Sequence, residues 1–368
     1  MEEMRDATTL EKQMMARAAA LGRPISGSLE LTPLCTMNCG MCYVRLSREE
    51  MEQKGRLHTG SEYIALAEEM ARAGVLFLLL TGGEPLLFPG FRQLYTALKK
   101  MGFILTVNTN GTLIDRDWAD FFAANKPRRV NITLYGSTEQ TYESLCRCPG
   151  GFEKTVRAVR LLRERGVDVK LNSSAVKPNR QELAEIYRIG RELDVPVHTD
   201  CYMLPALHEQ GFPPERQTRL SPEEAARAEL EALRAELGPE GLKEYAARML
   251  RETEKEEKDY GTGIFCLAGN CSFTVNWQGE LRPCVSLSAP SVPVFERGFE
   301  AAWQEIREKA KSLRMNEKCG RCRLRPVCKV CPAASRLETG ACDGLPEYLC
   351  RSAKALHRLL TEELREDK

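Results

Sequence analysis

The stretch Gly27–Tyr43, GSLELTPLCTMNCGMCY, alternates apolar and polar side chains as far as Pro33. It then places Cys35, Cys39 and Cys42 at spacings of four and three. Short alternation of this kind reads as a β-strand, so a strand delivers three thiols on a loop. A metal held only for stability is normally given four protein ligands. Three thiols leave one coordination position for something else.

Outward from this loop the pattern repeats. SEYIALAEEMARAG (Ser61–Gly74) has helical spacing and a glycine stop. VLFLLLTGGEP (Val75–Pro85) is a buried strand ending in a glycine turn. FRQLYTALKKMG is a helix with basic residues in its last turn, and FILTVNTNG a third strand. A helix opened by Asp115 and the strand RRVNITLYGS follow. Next come the helix GFEKTVRAVRLLRERG, the strand VDVKLNSSAV, a helix expected to be capped by Asn179, and the strand VPVHTDCYML. Six strand–helix pairs rich in Val, Ile and Leu predict an α/β fold with a parallel sheet covered by helices. Six repeats are too few for a standard eight-stranded barrel, so a partial (β/α)6 TIM-like barrel is expected. Such sheets bind ligands at the strand C-termini. There stand the cysteine loop, GGEP, NTNG and the segment Thr133–Ser137.

The predicted organisation is an N-terminal extension (1–26), the partial barrel (27–212), a charged helical connector (213–260), a cysteine-rich, loop-rich segment (261–352) and a C-terminal helix (353–368). The connector reads as a solvated link. The segment after Gly261 has little apolar material of its own, so metal ligation is expected to organise it. Hydrophobic residues make up 43% of the 368, enough for a sizeable core. The formal net charge of +1 gives no electrostatic reason to expect nucleic acid. No apolar run approaches the ~20 residues that span a bilayer, and the N-terminus does not read as a signal peptide. A cytoplasmic location is expected, with no membrane partner. In a reducing cytosol the fifteen cysteines argue for metal or iron–sulfur ligation rather than disulfides.

The Cx3Cx2C loop at the mouth of a β/α barrel, followed by GGEP after strand two, resembles the radical S-adenosylmethionine (SAM) superfamily. The resemblance covers Gly27 to about Pro205. It implies that Cys35, Cys39 and Cys42 hold three irons of a [4Fe–4S] cube, and that SAM chelates the fourth through its amino and carboxylate groups. One electron from the cube then splits the sulfonium, and a 5′-deoxyadenosyl radical takes hydrogen from the substrate. It implies SAM contacts from Tyr43, from Gly82, Gly83, Glu84 and Pro85, and from Asn108, Thr133, Arg147, Asn172 and Leu204. The fourth strand ends TLYGS, where many relatives have SLDG. A zinc site completed by His58 is the alternative for the loop.

The C-terminal pattern Cx12Gx4C from Cys266 to Cys284, then CGRCRLRPVCKVC and Cys350, resembles the SPASM extension of radical SAM maturases. The resemblance implies two auxiliary [4Fe–4S] clusters. One would be held by Cys266, Cys271, Cys284 and Cys331, the other by Cys319, Cys322, Cys328 and Cys350, with Cys342 as rival to Cys350. A zinc ribbon of Cys319, Cys322, Cys328 and Cys331 is the alternative. Cys201, on strand six, is a candidate catalytic thiol if it faces the barrel cavity.

The function expected is oxidation of a ribosomally made peptide, giving a thioether or carbon–carbon crosslink or another oxidised residue. An anaerobic sulfatase-maturating enzyme and a small-molecule dehydrogenase are alternatives, and a non-catalytic iron–sulfur carrier is the reading from another class. Expected partners are the peptide or protein substrate and an electron donor such as flavodoxin or ferredoxin. Only about 28 residues precede strand one, so leader recognition is expected to need a separate leader-peptide-binding protein or a minimal leader.

Overall fold

A computed structural model describes residues 8–205, 217–255 and 259–365. Helix α1 (Thr9–Leu21) is closed at its start by a capping box between Thr8 and Glu11. Then come β1 (Ser26–Glu30), α2 (Arg48–Lys54), α3 (Gly60–Ala73), β2 (Phe77–Thr81), α4 (Phe91–Lys100), β3 (Ile104–Thr109), α5 (Arg116–Ala124) and β4 (Arg129–Thr133). After them lie α6 (Glu139–Cys146), α7 (Gly151–Glu164), β5 (Val169–Ser174), α8 (Leu183–Glu192) and β6 (Val197–Asp200). Strands β1 to β6 pair in chain order, all parallel.

Side chains alternate faces along a strand, and this divides the sheet. Leu29, Leu78, Leu80, Leu105, Val107, Val130, Ile132 and Leu171 are at most 1% exposed and form the main core with the helices. The intervening positions, Glu30, Asn108, Asn131, Thr133, Lys170 and Asn172, are polar. On the concave side a cavity of about 110 Å³ is lined by Thr106, Asn108, Asn131, Lys170 and Asn172. At its floor Arg128 pairs with Glu11 of α1 at 3.0 Å, and Met15 of α1 lines it.

Three expectations are corrected. The cysteine-rich segment is not organised by ligands alone. Its strand β7 (Ser272–Val275) pairs parallel with β1, and β8 (Glu280–Arg282) and β9 (Val292–Pro293) extend the same sheet to nine strands. Phe273, Val275, Leu281 and Val292 join the main core, because one continuous sheet buries them more fully than a separate module could. Nor is the connector solvated. Its helix α9 (Pro222–Glu254), broken at Gly238, packs Ala226, Leu233, Leu242 and Ala246 against Ala353, Leu356 and Leu360. Those three lie on α12 (Glu347–Glu363), the last helix after α10 (Phe299–Lys311) and α11 (Pro332–Thr339). The connector's first residues, 213–216, lie outside the described residues. Finally, Asn179 is not a helix cap. Its amide donates to the Tyr135 and Ser174 carbonyls at 2.7 and 2.9 Å, and its oxygen accepts from Val176 N at 2.8 Å. It braces β5 against the end of β4 instead.

Candidate active site

The three-cysteine loop is clamped from two sides. On one, β2 runs out beside it: Gly83 N donates to Thr32 O at 2.7 Å and Glu84 N to Leu34 O at 2.8 Å. A Cβ at Gly82 would stand 2.4 Å from the Thr32 carbonyl oxygen, and one at Gly83 would stand 2.4 Å from that of Leu34. Gly82 also has φ +144, so only glycine fits. The close approach that the glycines permit is therefore to the loop's own backbone. On the other side the last turn of α6 offers carbonyls. Asn38 N donates to Cys146 O at 2.8 Å and Gly40 N to Leu145 O at 3.2 Å.

Glu84 is fully buried and does not reach into open space. Its carboxylate accepts from Thr109 Oγ1 at 2.8 and 2.9 Å, from Asn110 N at 2.9 Å and from Leu86 N at 3.1 Å. It ties the end of β2 to the end of β3 and so positions the loop. Burial lifts its pKa to about 7, against the pull of those hydrogen bonds. Pro85 is buried at the start of a short 3-10 turn.

Each thiol receives donors. Cys35 Sγ accepts from Met37 N at 3.4 Å and Asn110 Nδ2 at 3.5 Å, and Cys42 Sγ accepts from Arg45 N at 3.3 Å. Cys39 is hydrogen-bonded to Cys146 and Tyr135. Without a metal, burial pushes the Cys35 thiol up to about 12, and Cys39 and Cys42 are also raised. Iron must therefore displace protons on binding. The Tyr43 ring is half exposed, yet its hydroxyl reaches in to Glu30 Oε1 at 3.1 Å. Glu30 is buried, and desolvation lifts its pKa to about 7. Glu30, Asn110, Tyr135 and Cys146 were not among the residues singled out from the sequence. NTNG marked the neighbourhood of Asn110 and the segment Thr133–Ser137 that of Tyr135, but nothing local marked Glu30 or gave Cys146 its partner.

The expected polar contacts divide. Thr133 and Asn172 are register neighbours at the ends of β4 and β5, and the buried Asn172 Oδ1 has no hydrogen-bond partner. Asn108 accepts from Asn131 Nδ2 at 2.8 Å, and Asn108 and Asn172 both line the concave cavity. Arg147 is exposed at the αL end of α6, and Leu204 is half-buried just past β6. Cys201 does not face the barrel cavity. It is 2% exposed in a cluster with Ala175, Leu183 and Tyr187 on the helix side. Counting by two from Thr199, whose strand neighbour is Ser173, puts Cys201 level with Ala175 on that side. His58 is remote from the loop, stacked on Phe295 at 3.8 Å.

In the C-terminal part, Cys284 lies within electrostatic reach of Cys266 and Cys331. Cys331 caps α11, its sulfur accepting from Ala334 N at 3.3 Å. Cys271 is fully buried in an apolar cluster with Met15, Ala18, Ile25 and Phe77, its thiol aimed at Met15 O at 3.6 Å. Cys350 and Cys322 act electrostatically on Cys319 and Cys328, and Cys322 on Cys350, so these four thiols form a second group. Among the described residues no three Cys, His, Asp or Glu side chains converge as ligands of one ion. The thiolates of a cubane bind separate irons and need no such convergence. Three donor-supplied thiols, a glycine-tight clamp and the orphaned Asn172 oxygen in the concave cavity suit a three-thiolate cube with a polar organic co-ligand.

The family model described as "Radical SAM superfamily" matches residues 29–189. An AdoMet-dependent heme synthase from Methanosarcina barkeri is 26% identical over 334 residues, covering 84% of this chain and 92% of that protein. A PqqA peptide cyclase from Gluconobacter oxydans is 27% identical over 219 residues, 58% of this chain and 59% of that protein. Among solved structures, native anSMEcpe with bound AdoMet and Kp18Cys peptide superposes with a TM-score of 0.68 at 17% identity, covering 94% of this chain and 99% of that one. Streptococcus suis SuiB bound to precursor peptide SuiA gives 0.67 at 15% identity, covering 94% and 82%. At these identities the two structures show the shared fold.

Proposed function

This chain carries a radical SAM domain over residues 29–189 and is an enzyme of that superfamily; from that premise we propose that it oxidises a residue of a peptide or protein substrate by hydrogen abstraction. A SAM-bound [4Fe–4S] cube on Cys35, Cys39 and Cys42 would supply the abstracting radical. The chain's own residues do the rest. Asn110, Met37 N and Arg45 N donate to the cube's thiolates, Glu84 holds Asn110 in place, and Asn172 and Thr133 offer polar contacts at the strand ends. Tyr43 holds Glu30 at the mouth, where its half-exposed ring meets whatever enters.

The observation that carries the oxidation is the second layer of thiols. Cys319, Cys322, Cys328 and Cys350 come together beside the barrel, with Cys266, Cys284 and Cys331 as another group. A net oxidation needs somewhere for the substrate electron to go, and auxiliary clusters would accept it. We assign Cys271 to the first of these clusters together with Cys266, Cys284 and Cys331, which requires its side chain to turn from Met15. The likeness to a peptide cyclase, and a fold shared with two structures solved with peptides bound, support a peptide substrate. Formylglycine formation falls under the same reading.

A second reading has its own support. The heme synthase match runs through both the barrel and the cysteine-rich part, over 84% of the chain, so a tetrapyrrole is the competing substrate. The test is co-production, without oxygen, of the protein with short peptides encoded beside it. Loss of two hydrogens from such a peptide, matched to 5′-deoxyadenosine formed, supports the peptide reading. No change in any peptide, with a shifted porphyrin absorption band on adding iron coproporphyrin, rejects it.

A further inference from the structure

Phe265 is among the few large apolar side chains left in solvent, at 48% exposure. The Arg325 guanidinium lies over its ring at 4.2 Å. Beside this pair, Glu317 to Arg325 carries Lys318, Arg321, Arg323 and Arg325 against the single acid Glu317. Four positive charges less one negative give +3 over nine residues, whereas all 368 residues sum to +1. Lys318, Arg321 and Arg323 are exposed. Among the described residues none of these three forms an ion pair.

These cations surround thiols. Cys319 and Cys322 stand between them in the chain, Cys322 half-buried, and Arg325 acts electrostatically on both Cys319 and Cys328. Cys266, of the neighbouring thiol group, follows Phe265 directly. Offsetting the charge of ligated thiolates calls for a close, desolvated cation, and Arg325 with its exposed ring partner supplies the nearest one. Lys318, Arg321 and Arg323 project into water, where their effect on a buried cluster is screened within about 10 Å. There they act on what approaches. An exposed aromatic under an arginine, on a segment whose other cations stand exposed and without an ion pair among the described residues, has the composition of a docking face, with arginine and aromatic side chains at its centre and steering charge nearby.

The geometry points to this face as the docking surface for a small acidic protein that carries one electron. The inference rests on reading Cys319, Cys322, Cys328 and Cys350 as ligands of an auxiliary cluster. In turnover that cluster, having accepted one electron from the substrate, would pass it to the oxidised carrier, so the cluster is oxidised by one and the carrier reduced by one. The same face carries the electron in reverse when reduced carrier is mixed with oxidised cluster. No bond is made or broken and no proton moves.

The test uses the full, cluster-loaded chain and reduced flavodoxin as the acidic carrier, with cluster reduction followed by stopped-flow absorbance. The rate should fall about tenfold or more between about 20 and 300 mM salt. The double variant Arg321→Glu, Arg323→Glu should lose a similar factor at low salt and show a flat salt profile, and Phe265→Ala should slow the reaction at every salt concentration. Reduction by a small neutral photoreductant should be unchanged, as should iron content and the clusters' electron paramagnetic resonance. Rates insensitive to salt in the unaltered protein, with its auxiliary clusters present, would overturn the docking surface even if the variants failed to fold. An equal slowing with the neutral reductant would also overturn it, placing the cations' effect on the cluster itself. About four irons per chain would instead remove the auxiliary cluster on which the inference stands.

Discussion

At the scale of single residues, the site depends on groups that burial has pushed away from their solution behaviour. Glu30 has its pKa raised to about 7 by desolvation, so the folded chain holds a proton that the unfolded chain releases near 4.5. Its contribution to stability is complete below about 4.5 and is lost as pH rises through about 7. Thermal unfolding across that window should show a decline that Glu30→Gln reduces, by roughly 3 kcal/mol at most, the like-shifted Glu84 keeping the rest; an identical pH profile in the variant would refute the assignment. Gly82→Ala places a methyl 2.4 Å from the Thr32 carbonyl at φ +144. It should cost about 1–3 kcal/mol in backbone strain alone, read as a lower unfolding midpoint, and should also reduce 5′-deoxyadenosine yield because the clamp holds the cysteine loop. Replacing Cys35, Cys39 or Cys42 by alanine should bring SAM cleavage to background in the reduced protein, and full retention in any one variant would dismiss the three-thiolate cube.

At the scale of elements, the strands were legible because two periodicities coincide in them. Leu78 and Leu80 on β2, or Val130 and Ile132 on β4, recur every second residue and face the helices. The helices were legible from stops such as Gly74 and caps such as Asp115, whose carboxylate accepts from Trp118 N at 3.0 Å. Helix α9 was not legible as packed structure, since its charged faces hide an apolar stripe of mostly small residues. Leu242 is fully buried against α12, so Leu242→Ala should cost about 2–5 kcal/mol. The loss should appear as earlier unfolding and faster proteolysis of the C-terminal part. Unchanged stability would show that α9 and α12 pack without it. Cys201 directly follows β6, and whether it faces the cavity or packs as a small buried apolar group is set by register, which a single sequence does not state.

At the scale of the whole molecule, one nine-stranded sheet carries both the barrel and the cysteine-rich part, because β7 pairs with β1. On the proposed assignment of two auxiliary clusters, anaerobically reconstituted protein should hold about twelve irons in three cubes, and about four would confine the metal to the first loop. What the sequence determined by itself was local and covalent: thiol spacing, glycines where backbone must approach backbone, and apolar alternation. These fix a short-range pattern whatever lies far along the chain. Tertiary structure alone decided which distant groups meet. Glu84 found Thr109 and Asn110, Cys39 found Cys146 and Tyr135, and Cys350 came within electrostatic reach of Cys319, Cys322 and Cys328. The physical reason is that contacts between remote residues follow from strand register and helix packing. Those are settled by burial of the entire core and not by the residues that make the contact.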